Sequence, residues 1–212
     1  VEHSITLYDP IKAHEVRKDG VFYGYGIGGT PADSVKLAMH CLLERPPDLV
    51  MSGINNGANL GINVLYSGTV SAATEAAILG APSMAVSIGE KRNPPYEFAI
   101  DHVVAIASWV LKNGLPRGVA LNVNIPAIPP ARIKGIKRTR QALSKFNETF
   151  DRREDPRGDR YYWLSGEMVP DERDDDVDIV AVKKGFVSVT PLFYDLTAHG
   201  HLEDIEKSLT KI

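Results

Sequence analysis

Apolar runs and amphipathic stretches alternate through the first half of the chain. The runs are nearly unbroken, which is typical of strands buried on both faces, and they lie at residues 48–52, 83–88 and 119–125. Apolar residues at helical spacing predict helices over residues 70–79 and 96–111. Strands that alternate with helices indicate a doubly wound, Rossmann-like parallel sheet, so the predicted fold class is α/β.

The N-terminal part predicts two strands and a capped helix. The strands are expected at residues 5–8 and 21–25, with a polar turn before the second. Thr30 has the side chain of an N-cap, Pro31 suits the first helical position, and Asp33 is in reach of the free N–H groups. An apolar stripe then continues along this helix, and Cys41 is expected in the core.

The character of the chain changes after residue 130. Residues 1–130 are interpreted as the α/β core, and residues 131–212 as a hairpin arm, a short helix, a strand and a C-terminal oligomerisation segment. The arm, residues 141–166, is rich in aromatic and charged side chains, which favours a subunit interface, although a solvated hairpin explains it equally well. The C-terminal helix is predicted over Leu202–Leu209.

The segment from residue 48 to residue 75 is the most informative part of the sequence. Small and amide residues follow an apolar strand, and a helix begins directly after them, with Ser67, Gly68 and Thr69 at its N-terminus. Free backbone N–H groups at such an end attract phosphate, which predicts an anion site. The alternative is an ordinary glycine-rich connection, because glycine and asparagine also serve turns.

Asn55 is a candidate ligand for a divalent cation. Its amide oxygen follows a predicted central strand, where α/β sheets bind ligands, and Mg²⁺ and Mn²⁺ prefer oxygen ligands. A single amide does not hold such an ion, so carboxylates from elsewhere must join it. Separately, the acidic run at residues 171–178 has the composition of a metal cluster, but its acids are interpreted as caps of a short helix at residues 177–184.

The glycines at residues 24, 26 and 29 match the G-x-G-x-x-G pattern of dinucleotide-binding proteins. The next strand begins with Asp48 and ends with Ser52, whereas that motif requires an acid at the end of the strand. Pro31 also removes a backbone donor from the turn that would hold a pyrophosphate. A nicotinamide or flavin site is therefore rejected, and the glycines are assigned to a tight turn.

Composition narrows the class of partner. The formal net charge of −3 argues against binding of a nucleic-acid polymer, which normally requires a basic face. A single cysteine excludes a disulfide framework and favours a reducing, cytoplasmic location. The apolar runs are too short to cross a membrane, so no membrane association is expected.

Several segments together resemble the stationary-phase survival protein (SurE) family. They are SGINNGANLG, YSGTVSAATEAAILGAPSMAVS, GTPADSVKLA, HSIT, GFVSVTPL and DLTAH, and they extend over essentially the whole chain. The resemblance implies a divalent-metal-dependent phosphatase that hydrolyses nucleoside monophosphates, of the 5'- and 3'-nucleotidase type. It also implies a homodimer or homotetramer with a C-terminal segment exchanged between subunits.

The resemblance assigns roles to individual residues. Asn55 is the expected ligand of Mg²⁺ or Mn²⁺, while Ser67, Gly68 and Thr69 are the expected phosphate contacts. Gly53 and Asn59 are expected to line the crevice.

Two histidines are weaker candidates. His3 is expected either near the site or at a strand edge. His199 is expected to pair with Asp195, four residues before it, rather than to take part in catalysis.

The family pattern begins with a strand that ends in Asn-Asp-Asp-Gly, and this chain lacks a match to it. The chain starts with Val1, so we expect roughly the first forty residues of the pattern, with three of its four metal ligands and its catalytic aspartates, to be missing. The alternative function is a non-catalytic nucleotide-binding or oligomerisation module.

Overall fold

A computed structural model describes residues 4–89, 96–170 and 173–210 of the protein. Nine strands are described: β1 Lys12–Lys18, β2 Val21–Gly28, β3 Val50–Asn56, β4 Ser83–Ile88, β5 Val119–Ile125, β6 Ile136–Arg138, β7 Ser144–Glu154, β8 Arg160–Pro170 and β9 Val187–Phe193. The same ranges contain five α-helices: α1 Pro31–Leu37, α2 Gly68–Ile78, α3 Glu97–Asn113, α4 Asp178–Lys183 and α5 Leu202–Leu209. None of the helices in these ranges is long and apolar enough to span a bilayer.

Five strands form the central sheet in the order β3-β4-β5-β9-β6. β3, β4 and β5 are mutually parallel, as predicted from their apolar runs. β9 pairs antiparallel with β5, and β6 pairs parallel with β9. The α/β, Rossmann-like fold class is therefore confirmed, with a sheet that is mixed at one side rather than parallel throughout.

The two faces of this sheet differ in character. The face under α3 is apolar, and Met84, Val86 and Val123 pack there with Val103 and Ile106 of the helix. On the face under α2, the sheet has small residues where the middle of the helix packs. The same face also has buried polar residues, which are Ser87, Asn122, Asn124, Ser188 and Thr190. Hydrogen bonds connect several of these groups, for example Thr139 Oγ1 with both Ser188 Oγ and Thr190 Oγ1 at 2.7 Å.

The N-terminal region differs from the prediction. Residues 5–8 do not form a strand, and Leu7 and Tyr8 are exposed, because no partner strand lies beside them in the described ranges. A hairpin of β1 and β2 follows instead. Of the three glycines of the motif, Gly24 and Gly26 lie within β2, which corrects their assignment to a tight turn, whereas Gly29 lies in the bend between β2 and α1. At Gly26 a side chain would overlap the ring of His14 across the hairpin.

Helix α1 begins as predicted. The Thr30 hydroxyl accepts a hydrogen bond from Asp33 N, and the Asp33 carboxylate accepts one from Thr30 N, which completes a capping box. The helix widens into a π-helical turn over Ala38–Leu42. A π-helical turn contains an extra residue and so changes the direction in which the following side chains point. Cys41 is exposed, whereas it was expected in the core.

Residues 131–212 contribute to the central sheet and also extend away from it. β6 and β9 complete the sheet, whereas β7 and β8 pair only with each other as a hairpin arm. Beyond β9, every described residue from 194 to 210 is exposed, including α5. The division of the chain into two domains near residue 130 stays a prediction.

Candidate functional site

Asn55 lies near the C-terminal end of β3, at the edge of the sheet where β4 and β5 also end. Ser52 pairs with Ala85 and Asn55 pairs with Ser87, so three steps along β3 match two steps along β4. The extra residue is a β-bulge, and it reverses the alternation of side chains in the last part of β3. The bulge therefore brings Asn55 onto the face that carries Ser87 and α2.

A polar row crosses the sheet at this level. Asn55 pairs with Ser87, Ser87 with Asn124, and Asn124 with Ser188, across four neighbouring strands. Residues paired in register project to the same face of a sheet. Asn55 is the end of this row that lies nearest to the connection between β3 and α2.

The Asn55 side chain is half-buried and held from one side. Its Nδ2 donates a hydrogen bond of 2.7 Å to the carbonyl oxygen of Gly57, and Gly57 N donates one of 2.9 Å to Ile88 O. No group in the described ranges donates a hydrogen bond to Asn55 Oδ1. The amide is thereby oriented with its oxygen available, as a cation ligand requires.

Helix α2 presents donors at its N-terminus. Ser67 is the N-cap, and its hydroxyl accepts a hydrogen bond of 3.2 Å from Val70 N. Within the described ranges, the backbone N–H groups of Gly68 and Thr69 have no acceptor. These groups, with the positive end of the helix dipole, make a place suited to an anion.

The predicted crevice residues Gly53 and Asn59 have clear structural surroundings. Gly53 has a φ of +120°, and a side chain there would overlap the carbonyl oxygen of Val86. Asn59 is only 8% exposed, and its Nδ2 donates a hydrogen bond of 2.7 Å to Ser87 Oγ. Gly53 therefore belongs to the end of β3 and Asn59 to the buried side of the loop, and direct contact of either with a ligand stays a prediction.

The histidine candidates are not brought to this place by any described contact. His3 lies outside the described residues. His199 Nε2 lies 2.7 Å from Asp195 Oδ2, so the expected pair is present on the exposed C-terminal segment. Hydrogen bonds from Thr197, with a further one from His199, lower the pKa of Asp195 to about 2.

The described part of the acidic run, residues 173–178, forms ion pairs. Asp174 and Asp176 contact Arg140 at 3.2 and 3.3 Å, and Asp175 contacts Lys184. Asp178 is different because it is fully buried and accepts hydrogen bonds from backbone N–H groups. In the parts of the chain that the structure describes, no group of three or more His, Cys, Asp or Glu side chains is placed to hold a metal ion.

A separate apolar groove lies on the opposite face of the sheet. It has a volume of about 680 Å³ and lies beside α3, with Trp109, Ile136 and Pro191 among its lining residues. The groove has few polar groups, whereas Asn55 and the start of α2 offer an oriented amide oxygen and free N–H donors. The candidate site is therefore at the C-terminal edge of the parallel strands.

An α/β sheet whose parallel strands end next to a helix N-terminus with free N–H groups belongs to the class of folds that bind ligands at this edge, and such donors suit an anion. Comparison with known proteins specifies the family. The profile of "Survival protein SurE" matches residues 1–148. The chain belongs to the SurE family.

Individual relatives extend this match along the chain. "5'-nucleotidase SurE" of Syntrophus aciditrophicus is 49% identical over 212 residues, which is 100% of this chain and 80% of the relative. "5'-nucleotidase SurE" of Syntrophobacter fumaroxidans is 47% identical over 207 residues, covering 98% of this chain and 83% of the relative. The crystal structure of the SurE protein from Aquifex aeolicus has a TM-score of 0.83 at 42% identity, covering 98% of this chain and 83% of that one.

Asp178, Asn122 and Asn124 were not predicted at the site, although the structure places them directly under its loop. One signal was present for the asparagines. Residues 119–125 read VALNVNI, so asparagine appears at alternate positions in an otherwise apolar strand. That period of two indicates a polar patch on one buried face. No comparable local signal marks Asp178, because its partners are distant in sequence.

Proposed function

We propose that this protein is a nucleotidase that hydrolyses phosphate monoesters of nucleosides, of the 5'- and 3'-nucleotidase type. The names of the relatives support the reaction class. In this chain the supporting observation is that two backbone N–H groups at the start of α2 lack acceptors within the described ranges. The start of α2 follows the loop that begins after Asn55. A phosphoryl group is an anion of suitable size for such donors. The proposed substrate is a nucleoside monophosphate rather than a nucleic-acid polymer.

Three groups of the protein have proposed roles toward the phosphate. The N–H groups of Gly68 and Thr69 would donate hydrogen bonds to its equatorial oxygens, and the Thr69 hydroxyl offers a further donor. The Ser67 hydroxyl oxygen caps the helix by accepting a hydrogen bond from Val70 N, and the Ser67 O–H would donate to the phosphate. Preorganised donors of this kind stabilise charge that grows on the oxygens in the transition state.

We further propose that the activity requires a divalent cation, Mg²⁺ or Mn²⁺, with Asn55 as one ligand. Such an ion polarises phosphoryl oxygens and orients the nucleophile. The free Oδ1 of Asn55 fits a hard cation, but it provides one neutral oxygen where several ligands are required. That carboxylate ligands from outside the described residues join Asn55 stays a prediction.

The first test is Asn55→Ala in the purified protein, with Asn113→Ala as a control. Asn113 also carries an amide bonded to a nearby backbone carbonyl, but it is exposed at the end of α3. Release of phosphate from adenosine monophosphate is measured while Mn²⁺ is titrated. Asn55→Ala should lower both the apparent metal affinity and the rate, and Asn113→Ala should change neither. Unchanged Mn²⁺-dependent activity in Asn55→Ala would remove Asn55 from the site.

A second candidate is a non-catalytic module that binds nucleotide or mediates oligomerisation. It is favoured by the lack of a cluster of acidic or histidine ligands within the described ranges. Calorimetric titration with adenosine monophosphate, with and without Mn²⁺, separates the candidates. Metal-independent binding without turnover would support the module, and metal-dependent turnover would support the nucleotidase.

We also propose that the protein forms a homodimer or homotetramer through its C-terminal segment and its arm. The apolar side chains of α5, Leu202, Ile205 and Leu209, are between 52% and 60% exposed. In the arm, Phe150 and Trp163 are exposed to a similar extent. Exposed apolar and aromatic side chains on projecting elements are typical of protein interfaces. An exchanged C-terminal segment and a cytoplasmic location stay predictions.

A further inference from the structure

The loop before α2 is held from below by β5. Asn59 N donates a hydrogen bond of 2.8 Å to Asn124 Oδ1, and Asn59 O accepts hydrogen bonds from Asn122 Nδ2 at 2.8 Å and Asn124 Nδ2 at 3.1 Å. Asn122 and Asn124 are completely buried. Both backbone groups of Asn59 are thus bonded to side chains of the central sheet, which fixes one point of the loop.

A second point of the loop is fixed by Asp178. Its carboxylate accepts hydrogen bonds from Gly61 N at 3.0 Å, Ala142 N at 3.1 Å and Ile179 N at 2.7 Å. The three donors belong to three separate segments: the loop, the chain entering the arm, and α4 itself. Gln141 Nε2 also donates a hydrogen bond of 2.9 Å to Gly61 O. Both backbone groups of Gly61 are therefore bonded to side chains.

Asp178 requires a specific explanation because it is a buried acid. Asp178 is completely buried. Burial of a carboxylate is unfavourable unless hydrogen bonds offset the cost of removing it from water. Burial raises the pKa of Asp178, and the bonds from Gly61, Ile179 and Ala142 oppose that rise. Two oxygens that accept from three segments give a junction that an apolar side chain cannot replace.

We infer that Asp178 is a positioning residue for the phosphate donors at Gly68 and Thr69, an inference that rests on the proposed function. Gly61 begins a 3₁₀ turn, Gly61–Tyr66, and Ser67 follows it directly as the N-cap of α2. A 3₁₀ turn is a short, hydrogen-bonded element, so a shift of its first residue moves the start of α2. Asp178 is fully buried, so no direct contact with the phosphate is proposed for it. It acts through Gly61.

The test compares Asp178→Asn with Asp176→Asn. Asp176 lies two residues earlier, and its carboxylate contacts Arg140 and not the loop. For each variant, kcat and KM with adenosine monophosphate, the inhibition constant of inorganic phosphate and the urea midpoint are measured. Asparagine keeps one acceptor oxygen but places an N–H₂ where the other oxygen accepted. We expect Asp178→Asn to weaken phosphate inhibition by about tenfold or more, the change that loss of about 1.4 kcal/mol produces, and Asp176→Asn to change it less than twofold.

Amide hydrogen exchange provides a readout that does not depend on activity. Asp178→Asn should speed exchange over residues 61–69, while exchange in α3 keeps its wild-type rate. Gln141→Ala is the milder variant if Asp178→Asn does not fold, and it should produce a smaller change in the same direction.

The outcomes separate this inference from the proposed function. A folded Asp178→Asn protein with a lower urea midpoint but unchanged phosphate inhibition and loop exchange would overturn the positioning role. If the wild-type protein neither hydrolyses adenosine monophosphate nor binds phosphate, the proposed function fails. In that case loop exchange alone decides whether Asp178 holds the start of α2, and unchanged exchange rejects it.

Discussion

Replacement of Gly53 by alanine should show how tightly the bulge in β3 is built. Gly53 has a φ of +120°, which side-chain-bearing residues rarely adopt, and a Cβ there would overlap the carbonyl oxygen of Val86 on β4. Gly57, which directly follows β3, provides a matched control. It has a φ of +125°, but the nearest atom to a Cβ there is Asn55 Nδ2 at 3.7 Å, an ordinary contact distance.

The two substitutions share the backbone strain and differ in the overlap. Strain at such a φ costs about 1–3 kcal/mol in each variant. In Gly53→Ala, β3 and β4 must also separate locally, which weakens the hydrogen bonds beside the bulge. Two backbone hydrogen bonds at about 0.5–1.5 kcal/mol each add about 1–3 kcal/mol. Gly53→Ala should therefore be less stable than Gly57→Ala by about 1–3 kcal/mol.

Equilibrium unfolding in urea, followed by circular dichroism, measures this difference, provided that unfolding is two-state and the slopes agree. Asn55 follows the bulge, so Gly53→Ala should also weaken inhibition by inorganic phosphate and the apparent affinity for Mn²⁺. Equal losses of stability in the two variants would show that strain alone matters. That result would contradict the explanation that Gly53 is required because β3 approaches β4 closely.

Two further predictions concern other parts of the protein. Burial raises the pKa of Asp33, but hydrogen bonds from Thr6 and Thr30 lower it more, to about 2 from the ordinary 3.8. The stability that these bonds contribute is complete above about pH 3.8 and is lost as the pH falls through 2. The difference in unfolding free energy between wild type and Asp33→Asn should therefore shrink from pH 5 to pH 2, and a constant difference would refute this. In sedimentation experiments, Ile205→Asp should shift the proteins toward monomer and Lys207→Glu, on the same helix, should not; identical behaviour would exclude α5 as the interface.

The sequence-based predictions were accurate for elements that are specified by their own local sequence and less accurate for elements that depend on distant residues. Residues 83–88, 119–125 and Leu202–Leu209 were predicted with the observed bounds, because each carries its signal in its own apolar pattern. β1 was missed, since its sequence KAHEVRK is charged and exposed on both faces. Residues 5–8 have strand-forming side chains, but a strand requires a partner, and Thr6 bonds to Asp33 instead.

The candidate site shows the same limit. Asn55 and the start of α2 are close in sequence, and their chemistry was visible in one segment. The bond between Gly61 and Asp178 joins residues 117 positions apart, and no local pattern encodes such a contact. The bulge was also invisible, because glycine at position 53 predicts a turn as readily as a close approach of two strands.

The bulge and the polar row together explain why the amide of Asn55 is available at the edge of the sheet. In a regular β3, Ile54 would be the residue in register with Ser87, because Ser52 pairs with Ala85 and pairing advances two residues at a time. An apolar side chain would then end the row that includes Asn124 and Ser188. The extra residue replaces Ile54 by Asn55 at that position, so the buried polar groups continue to the open end of the sheet. There the Asn55 oxygen has no partner within the described chain, and this is the observation on which the proposal of Asn55 as a cation ligand rests.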